Sequence, residues 1–281
     1  MQKFNVENHE PSFLPNEKKW KLVWSDEFDG TELDRSKWDY RLYFNGKRHK
    51  CWIDDGVVLD GNSNAVFNLV EKDGVYCCST IQTGSVYTDK PNGEKEATKP
   101  KYSHGYGYYE CRFKAQNEMP WWTSFWLTSP TSQCGNAPEI DGIEVDIMEM
   151  CDPHKLYPHM IHQGFPTKNN YKAHMAEDNR EHWYELYGSI LLEKDVFHRC
   201  GCHWEKDGFT FYVDGTQIGR KITEVTTSVE SFINLGAESK GYRREIVVEP
   251  GMSENGFPLG LKDCFIVDYV RVFDKSKETH E

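Results

Sequence analysis

The fold of this chain is constrained most by a succession of short apolar or alternating runs, which clusters of turn residues separate. Such alternation is typical of β-strands, because successive side chains on a strand point to opposite faces. Apart from 177–187, where we predict a short surface helix, no stretch has a clear helical period. The pattern therefore predicts an all-β fold. The predicted strands are 21–24, 56–59, 65–70, 75–81, 106–114, 123–127, 144–150, 209–213, 231–235 and 265–273.

The organisation of the chain favours one large domain. Its 281 residues suit a single all-β sandwich or barrel, and neither an internal repeat nor a linker is visible. We predict an N-terminal extension over 1–19, the domain over 20–275 and a C-terminal tail over 276–281.

Turns and loops complete this outline. Asp214-Gly215, between Val213 and Thr216, predicts a hairpin turn, since Asp-Gly supplies the positive φ angles that such turns require. Long polar loops in a compact domain often form functional rims. Three are expected here, at 88–104, 164–182 and 248–262.

The composition excludes several classes of partner. A formal net charge of −12 disfavours nucleic acid, anionic membrane surfaces and heavily sulfated polymers, unless local basic residues override the overall field. No run approaches the length and apolarity of a membrane span. We therefore expect neither nucleic acid nor membrane as a partner, and we expect a monomer.

The nine cysteines do not follow a metal-binding or disulfide pattern. Their number is odd and paired C-x-x-C spacing is missing, so no zinc site is predicted. Cys77-Cys78 and Cys200-Gly201-Cys202 are expected to be free thiols buried on strands. Such usage fits a reducing compartment, and the first residues lack the apolar region of a signal peptide. Both features favour the cytoplasm. The alternative is a secreted protein whose leader was removed.

Three carboxylates lie within the apolar run from Gly142 to Met150. Strand alternation places Glu144 and Asp146 on one face, but Glu149 stands five positions after Glu144 and would fall on the other. A β-bulge at Ile147-Met148 would return Glu149 to the face of the first two acids. The spacing therefore predicts a bulged strand that presents three acids to one groove.

This arrangement suits the cleavage of a glycosidic bond. Such cleavage uses two carboxyl groups that flank the bond, and in the retaining mechanism they lie about 5–5.5 Å apart. The alternative is that the acids form the solvated face of an antiparallel strand. A second register, from Glu139 to Glu144, is disfavoured because Gly142 interrupts it and Asn136 and Pro138 indicate a turn.

Motifs along 20–274 resemble those of glycoside hydrolase family 16, the laminarinase, lichenase, agarase and carrageenase group. Their order and spacing together are specific, although each motif is weak by itself. The motifs are Trp24-Ser25-Asp26-Glu27-Phe28-Asp29-Gly30, Gly105-Tyr106-Gly107-Tyr108-Tyr109-Glu110-Cys111-Arg112, Ser124-Phe125-Trp126-Leu127, Glu144-Val145-Asp146-Ile147-Met148-Glu149, Phe211-Tyr212-Val213-Asp214-Gly215 and Val267-Asp268-Tyr269-Val270-Arg271-Val272.

The resemblance implies a β-jelly roll of two curved antiparallel sheets, the concanavalin A-like fold, with an open concave cleft. It also implies an endo-acting, retaining glycosidase. Glu144 would be the nucleophile, Glu149 the general acid/base, and Asp146 the residue that tunes their charge. No cofactor for catalysis is expected.

The same resemblance suggests three tryptophans as substrate-binding residues. Trp126 would stack on a sugar ring if its strand faces the cleft, and is otherwise a core residue. Trp121 and Trp122 would form a subsite wall or only cover an edge.

Four weaker expectations also come from the resemblance. His162 would contact the substrate or Asp146, with a buried core histidine as the alternative. Asn45 would reach the substrate from a loop, although Asn-Gly is also an ordinary turn. Glu27 and Asp268 are candidates for a structural calcium site, because two carboxylates with backbone carbonyls suit a hard cation.

The expected partner is a polysaccharide. The acidic charge favours a neutral β-1,3- or mixed β-1,3/1,4-glucan, with a β-galactan, as in agarases, porphyranases and carrageenases, as the alternative. Transglycosylation would use the same covalent intermediate. A non-catalytic, lectin-like protein is the alternative of another class, and the intact acid triplet argues against it.

Overall fold

A computed structural model describes residues 1–16, 19–44, 47–85, 99–118, 121–131, 138–152, 154–157, 160–163, 190–223, 225–239 and 248–276, with the backbone alone at 44, 47, 138, 152, 157 and 160–163. One helical turn, α1 (Pro138–Asp141), accompanies the strands. In chain order the strands are β1 (Gln2–Phe4), β2 (Ser12–Leu14), β3 (Trp20–Asp26), β4 (Asp39–Tyr40), β5 (Tyr43–Phe44), β6 (Lys47–Arg48), β7 (Val57–Leu59), β8 (Ala65–Asn68), β9 (Val70–Lys72), β10 (Val75–Cys77), β11 (Thr80–Gln82), β12 (Gly107–Lys114), β13 (Trp121–Thr128), β14 (Ile143–Asp152), β15 (Lys155–Tyr157), β16 (Met160–Gln163), β17 (Ile190–Leu191), β18 (Phe197–Glu205), β19 (Gly208–Val213), β20 (Thr216–Ile222), β21 (Phe232–Ser239) and β22 (Cys264–Lys275).

Two eight-stranded antiparallel sheets dominate the molecule. The front sheet has the order β17-β15-β14-β13-β21-β11-β4, and β16 also pairs with β14. The back sheet has the order β20-β19-β18-β12-β22-β8-β7, and β3 also pairs with β22. Strands that are distant in the chain are thus neighbours in each sheet. This architecture confirms the predicted all-β fold.

The core lies between the inner faces of the two sheets. The front sheet contributes Phe125, Val145 and Leu235, and the back sheet contributes Phe113 and Phe265; all five are fully buried. Burial of one such side chain stabilises the fold by about 1.5–3 kcal/mol. The alternation seen in the sequence has its cause here, because only one side of each strand faces this core.

The N-terminal extension packs on the outer face of the back sheet. Leu14, from the two-stranded β1-β2 sheet, is buried in a second small cluster with Trp20, Tyr108 and Phe273. The backbone N–H of Phe13 donates to the Glu110 carboxylate over 3.0 Å. Neither β1 nor β2 is predicted by the sequence patterns.

Most predicted strands are confirmed, as is the hairpin turn. Val213 pairs with Thr216 across the turn, and Asp214 and Gly215 have φ angles of 46° and 72°. Loop 248–262 is free of strands in the structure. The predicted helix at 177–187, loop 164–182 and most of loop 88–104 lie outside the described residues.

The cysteines in the described residues are free thiols, as predicted. Cys78, Cys111, Cys200 and Cys202 are fully buried. Burial raises the pKa of the Cys77 thiol to about 11, so this group is protonated at neutral pH. Within the part of the chain that the structure describes, no helix is long and apolar enough to cross a membrane.

Candidate active site

The acid-rich run forms the central part of β14, and it contains the predicted bulge. Trp126 pairs with Asp146, whereas the preceding residue, Phe125, pairs with Met148. Ile147 is therefore the extra residue, two positions on β14 opposing one step on β13. The bulge at Ile147-Met148 is confirmed.

The bulge places all three carboxylates on one face of the front sheet. Glu144, Asp146 and Glu149 are cross-strand partners of Thr128, Trp126 and Ser124, which alternate regularly along β13. Glu144 and Glu149 are half-buried, and Asp146 is buried. The intervening residues of β14, among them Val145 and Met148, point into the core. We call this acid-bearing side of the sheet the cleft face.

The segment before the strand settles the register. Glu139 lies in the helical turn α1 and is exposed, so the alternative register that begins there does not form a strand. Gly142 then enters β14 with a φ of 76°, in the left-handed region that favours glycine. Ser129 and Thr131 both donate hydroxyl hydrogen bonds to the carbonyl of Asp141. The entry to the acid-bearing strand is therefore held by two hydrogen bonds from the segment that follows β13.

The three predicted tryptophans divide between the two faces of β13. Trp126 and Trp122 lie on the cleft face, because their positions share the parity of Ser124. Trp121 lies on the core face, is fully buried, and donates its indole N–H to Asp263 over 2.9 Å. The expectation of a substrate-binding Trp121 therefore does not fit its position, since a core side chain does not reach the cleft.

A row of side chains crosses the cleft face beside the acids. Asp146, Trp126, Asn234 and Gln82 are successive cross-strand partners on β14, β13, β21 and β11. The guanidinium of Arg41 lies over the Trp126 ring, 4.7 Å from its centroid. Its Nη1 also donates to Asn234 Oδ1 over 2.9 Å. A cation that stacks on an aromatic ring in this way is stabilised by about 0.5–2 kcal/mol.

Sequence reasoning missed several residues of this face. Arg41 follows the two-residue strand β4, where no periodicity is readable. Asn234 and Gln82 are wholly or nearly buried, and Glu238, the partner of Trp122, adds a fourth carboxylate to the face. Trp122 was among the predicted residues, and its parity with Trp126 supports its place on this face. To find the missed residues, the order of strands across the sheet was needed.

Two predicted substrate contacts are not described. His162 pairs with Glu144 through β16, so its backbone lies next to the acid-bearing strand, but its side chain lies outside the described atoms. Asn45 lies outside the described residues altogether. Both therefore remain predictions.

The expected calcium ligands do not fit a cation site. Glu27 accepts hydrogen bonds from the buried guanidinium of Arg271, at 3.0 Å from Nε and 2.7 Å from Nη2. Asp268 instead accepts from Arg112 Nη1 at 2.5 Å. Each carboxylate is thus neutralised by its own arginine, which would repel a metal ion. In the described residues no group of three or more acidic, histidine or cysteine side chains is arranged to hold a metal.

Comparison with known proteins places this site in a family context. A family model described as beta-porphyranase A-D, GH16 domain, matches residues 20–275. The chain is 25% identical over 265 residues to glucan endo-1,3-beta-glucosidase A1 of Niallia circulans, which covers 90% of this chain but 37% of that protein. It is 26% identical over 302 residues to beta-porphyranase C of Zobellia galactanivorans, which covers 95% and 83% respectively.

A solved structure supports the same assignment of fold. The crystal structure of porphyranase B from Zobellia galactanivorans matches with a TM-score of 0.62 at 18% identity, covering 96% of this chain and 97% of that chain. This likeness, together with the two antiparallel sheets, confirms the predicted jelly-roll fold class.

Proposed function

The chain belongs to glycoside hydrolase family 16, within the beta-porphyranase A to D group, and on this premise we propose that it cleaves internal bonds of a β-linked polysaccharide by a retaining double displacement. The membership confirms the family predicted from the sequence motifs. One observation carries the proposal: the bulge at Ile147 brings Glu144, Asp146 and Glu149 to one face of the front sheet.

The reaction divides the work between the outer carboxyl groups. Glu149, in its protonated form, donates a proton to the leaving oxygen while the Glu144 carboxylate attacks the anomeric carbon. The leaving chain departs, and a glycosyl ester on Glu144 remains. Glu149, now ionised, removes a proton from water, and the water oxygen displaces Glu144 with a second inversion. Asp146 lies between the two and holds negative charge near both.

For the substrate we propose an anionic β-galactan of the porphyran type. The family model supports this choice, and so does the guanidinium of Arg41 on the cleft face. A guanidinium matches the geometry of a sulfate group, and its positive charge opposes locally the repulsion that the net charge of −12 exerts on a polyanion. On this proposal, Arg41 is the local basic residue that the charge argument required.

A neutral β-1,3- or mixed β-1,3/1,4-glucan is the second candidate. It is favoured by the similarity to the Niallia circulans glucanase and by the overall acidic charge. A lectin-like role is disfavoured, because a protein that only binds has no need of the complete acid triplet.

A substrate panel tests the proposal. We expect new reducing ends to be released from porphyran, measured beside agarose, carrageenan, laminarin and lichenan. Activity confined to laminarin or lichenan would replace the galactan by the glucan candidate. No release from any of the five polymers would contradict the hydrolase reading.

Substitution of the nucleophile tests the mechanism. In Glu144→Gln we expect turnover to fall by more than about 10³-fold while polysaccharide binding survives, because the covalent step is lost but the shape of the cleft is kept. Glu139→Gln, on the exposed turn α1, is the matched control and should keep full turnover. The reverse result would assign the nucleophile to the other register.

Substitution of the cleft arginine tests the anionic substrate. Arg41→Gln should lower kcat/KM on the sulfated galactan by about 10- to 100-fold, the effect of losing a charged hydrogen bond of about 1.5–3 kcal/mol. On the same polymer after desulfation, the substitution should lower kcat/KM much less. An equal loss on both polymers would mean that Arg41 only supports Trp126, and would remove the support for sulfate recognition.

A further inference from the structure

A buried glutamine reaches the end of the acid-bearing strand from outside its ladder. Gln116 follows β12 and is fully buried. Its Nε2 donates to the carbonyl of Met150 over 2.9 Å and to that of Trp121 over 3.3 Å. Its Oε1 accepts from the Thr123 hydroxyl over 2.7 Å. All three of these hydrogen bonds therefore join the amide to the β13-β14 pair.

The point of attachment is directly beside the proton donor. Met150 follows Glu149, and Thr123 is the cross-strand partner of Met150. Gln116 thus holds both members of the last residue pair in the ladder that carries Glu149. The amide connects the two strands where their pairing ends.

The ladder around Glu149 needs such support. Beyond the bulge only three pairs join β13 to β14 in the described ladder, those of Phe125, Ser124 and Thr123. On the other side of β14, the described pairs include Asp146 with Met160 and Glu149 with Tyr157, and the register shifts between Glu149 and Asp152. A slip by one residue would turn Glu149 to the core face. The bulge therefore keeps Glu149 on the cleft face only if the register of β14 against β13 is fixed.

The residues that follow Gln116 are themselves held by hydrogen bonds. The backbone N–H groups of Asn117 and Glu118 donate to the carboxylate of Asp263, at 3.1 and 2.9 Å. The same carboxylate accepts from the Trp121 indole. The Gln116 backbone is thereby attached to the segment before β22 in the back sheet, so that the amide transmits a fixed position to Met150.

We propose that Gln116 is a positioning residue for the proton donor, which fixes Glu149 in register by holding the Met150 carbonyl. This inference rests on the proposed role of Glu149. Displacement of a catalytic group by about 1 Å costs on the order of 10²-fold in rate. Loss of the amide should therefore lower kcat by 10-fold or more and change KM little, because polymer binding is spread over the whole cleft face.

Gln116→Met tests this, with Asn255→Leu as its matched control. Methionine keeps the length of the side chain and removes its hydrogen bonds. The Asn255 amide makes bridges of the same kind, donating to Tyr76 O at 2.8 Å and to Ser239 Oγ at 3.0 Å, and neither of these partners lies on β14. Both variants should lose thermal stability. Only Gln116→Met should have a lower kcat. The kcat is measured with the polysaccharide that the wild type cleaves, at a temperature well below the Tm of either variant.

Azide separates a displaced proton donor from general loosening. With a dinitrophenyl glycoside of the released oligosaccharide, the leaving group needs no proton. The azide anion can then attack the anomeric carbon of the glycosyl ester, free the Glu144 carboxylate and form a glycosyl azide without help from a base. We expect azide to accelerate Gln116→Met and Glu149→Ala, and to leave the wild type and Asn255→Leu unchanged.

The outcomes distinguish the two proposals. Wild-type kcat in Gln116→Met, or a loss without azide acceleration, would overturn the role of Gln116. Full activity in Glu149→Ala would instead overturn the proposed function. If Gln116→Met does not fold, Thr123→Val removes only the hydroxyl that orients the amide; it should lower kcat with partial azide acceleration, and unchanged kcat would again contradict the proposal.

Discussion

At the scale of single residues, His198 on β18 links its strand to the hairpin turn between β19 and β20. Its Nδ1 lies 2.7 Å from the Asp214 carboxylate and its Nε2 lies 3.1 Å from the Glu193 carbonyl. Both partners are acceptors, so the doubly protonated imidazolium satisfies both. The hydrogen bond to Asp214 raises the pKa of His198 against the opposing effect of burial. For Asp214, burial alone would raise the pKa of the carboxyl group. Hydrogen bonds from His198 and from the Arg199 backbone outweigh this effect and hold the pKa of Asp214 below its ordinary value.

The pair predicts how stability depends on pH. A raised histidine pKa adds stability that is complete below the ordinary value of about 6.5 and is lost as pH rises through the folded-state value. The lowered pKa of Asp214 adds stability above about 3.9, which is lost under stronger acid. We therefore expect the urea-derived free energy of unfolding to fall from pH 6 towards pH 9, and to fall less in His198→Gln. Equal slopes in the two proteins would contradict the assignment.

The faces on which individual residues lie were predictable where strand parity applies. The spacing of Glu144, Asp146 and Glu149 was sufficient to predict one shared face. The period of two from Trp126 also separates Trp122 from Trp121, although the adjacent pair was expected to act together. Arg41 carries no such signal, because its place over Trp126 depends on how distant strands meet.

At the scale of elements, Gly142 sets the start of the acid-bearing strand. Its φ is 76°, and a Cβ added there would lie 2.6 Å from Ser129 Oγ and 2.7 Å from Ser129 Cβ. Gly142→Ala therefore combines backbone strain with a steric clash at the residue that precedes β14. We expect a loss of more than about 1 kcal/mol in the free energy of unfolding, and a lower kcat, because Glu144 follows two positions later.

Gly61→Ala is the matched control for that change. Its φ of 75° is nearly the same, but a Cβ there would meet nothing within 4 Å. This variant should show the conformational strain alone and keep wild-type kcat. Denaturant unfolding and steady-state kinetics of both variants check the prediction; equal losses of stability and unchanged kcat in both would show that the clash with Ser129 has no effect.

The bulge shows what an element reveals in sequence. An offset of five between two acids that share a face requires one extra residue, and the structure has it at Ile147. The contacts of Gln116 with this strand were not predictable, because they depend on which backbone carbonyls the ladder leaves unpaired.

At the scale of the whole molecule, the overall fold was more predictable than the substrate. Alternation along many strands has a single cause, the common core, so each strand repeats the same information. The net charge of −12 is also a property of the whole chain, and it pointed to a neutral polymer. For the proposed anionic galactan, nearby charges such as that of Arg41 would count more than this sum, which conceals them.

The N-terminal segment packs on the sheet opposite the acids, so its contribution to stability can be measured separately from catalysis. Its residues cover the back sheet: Arg271 Nη1 donates to Glu10 O at 2.8 Å and to Ser12 Oγ at 2.9 Å, and Leu14 is fully buried. Deletion of residues 1–14 should therefore lower the free energy of unfolding by at least about 3 kcal/mol, the burial of one or two large apolar side chains.

The kinetics of the same deletion should stay unchanged at a temperature where the protein remains folded, because the acids lie on the other sheet. Leu14→Ala should reproduce about 2–5 kcal/mol of the loss, whereas Leu259→Ala, at a side chain that is 55% exposed, should have almost no effect. Urea unfolding and kcat/KM at low temperature check both parts. An unchanged unfolding midpoint would contradict the stabilising role of the segment, and a fall in kcat/KM without unfolding would show that the back sheet helps to shape the cleft.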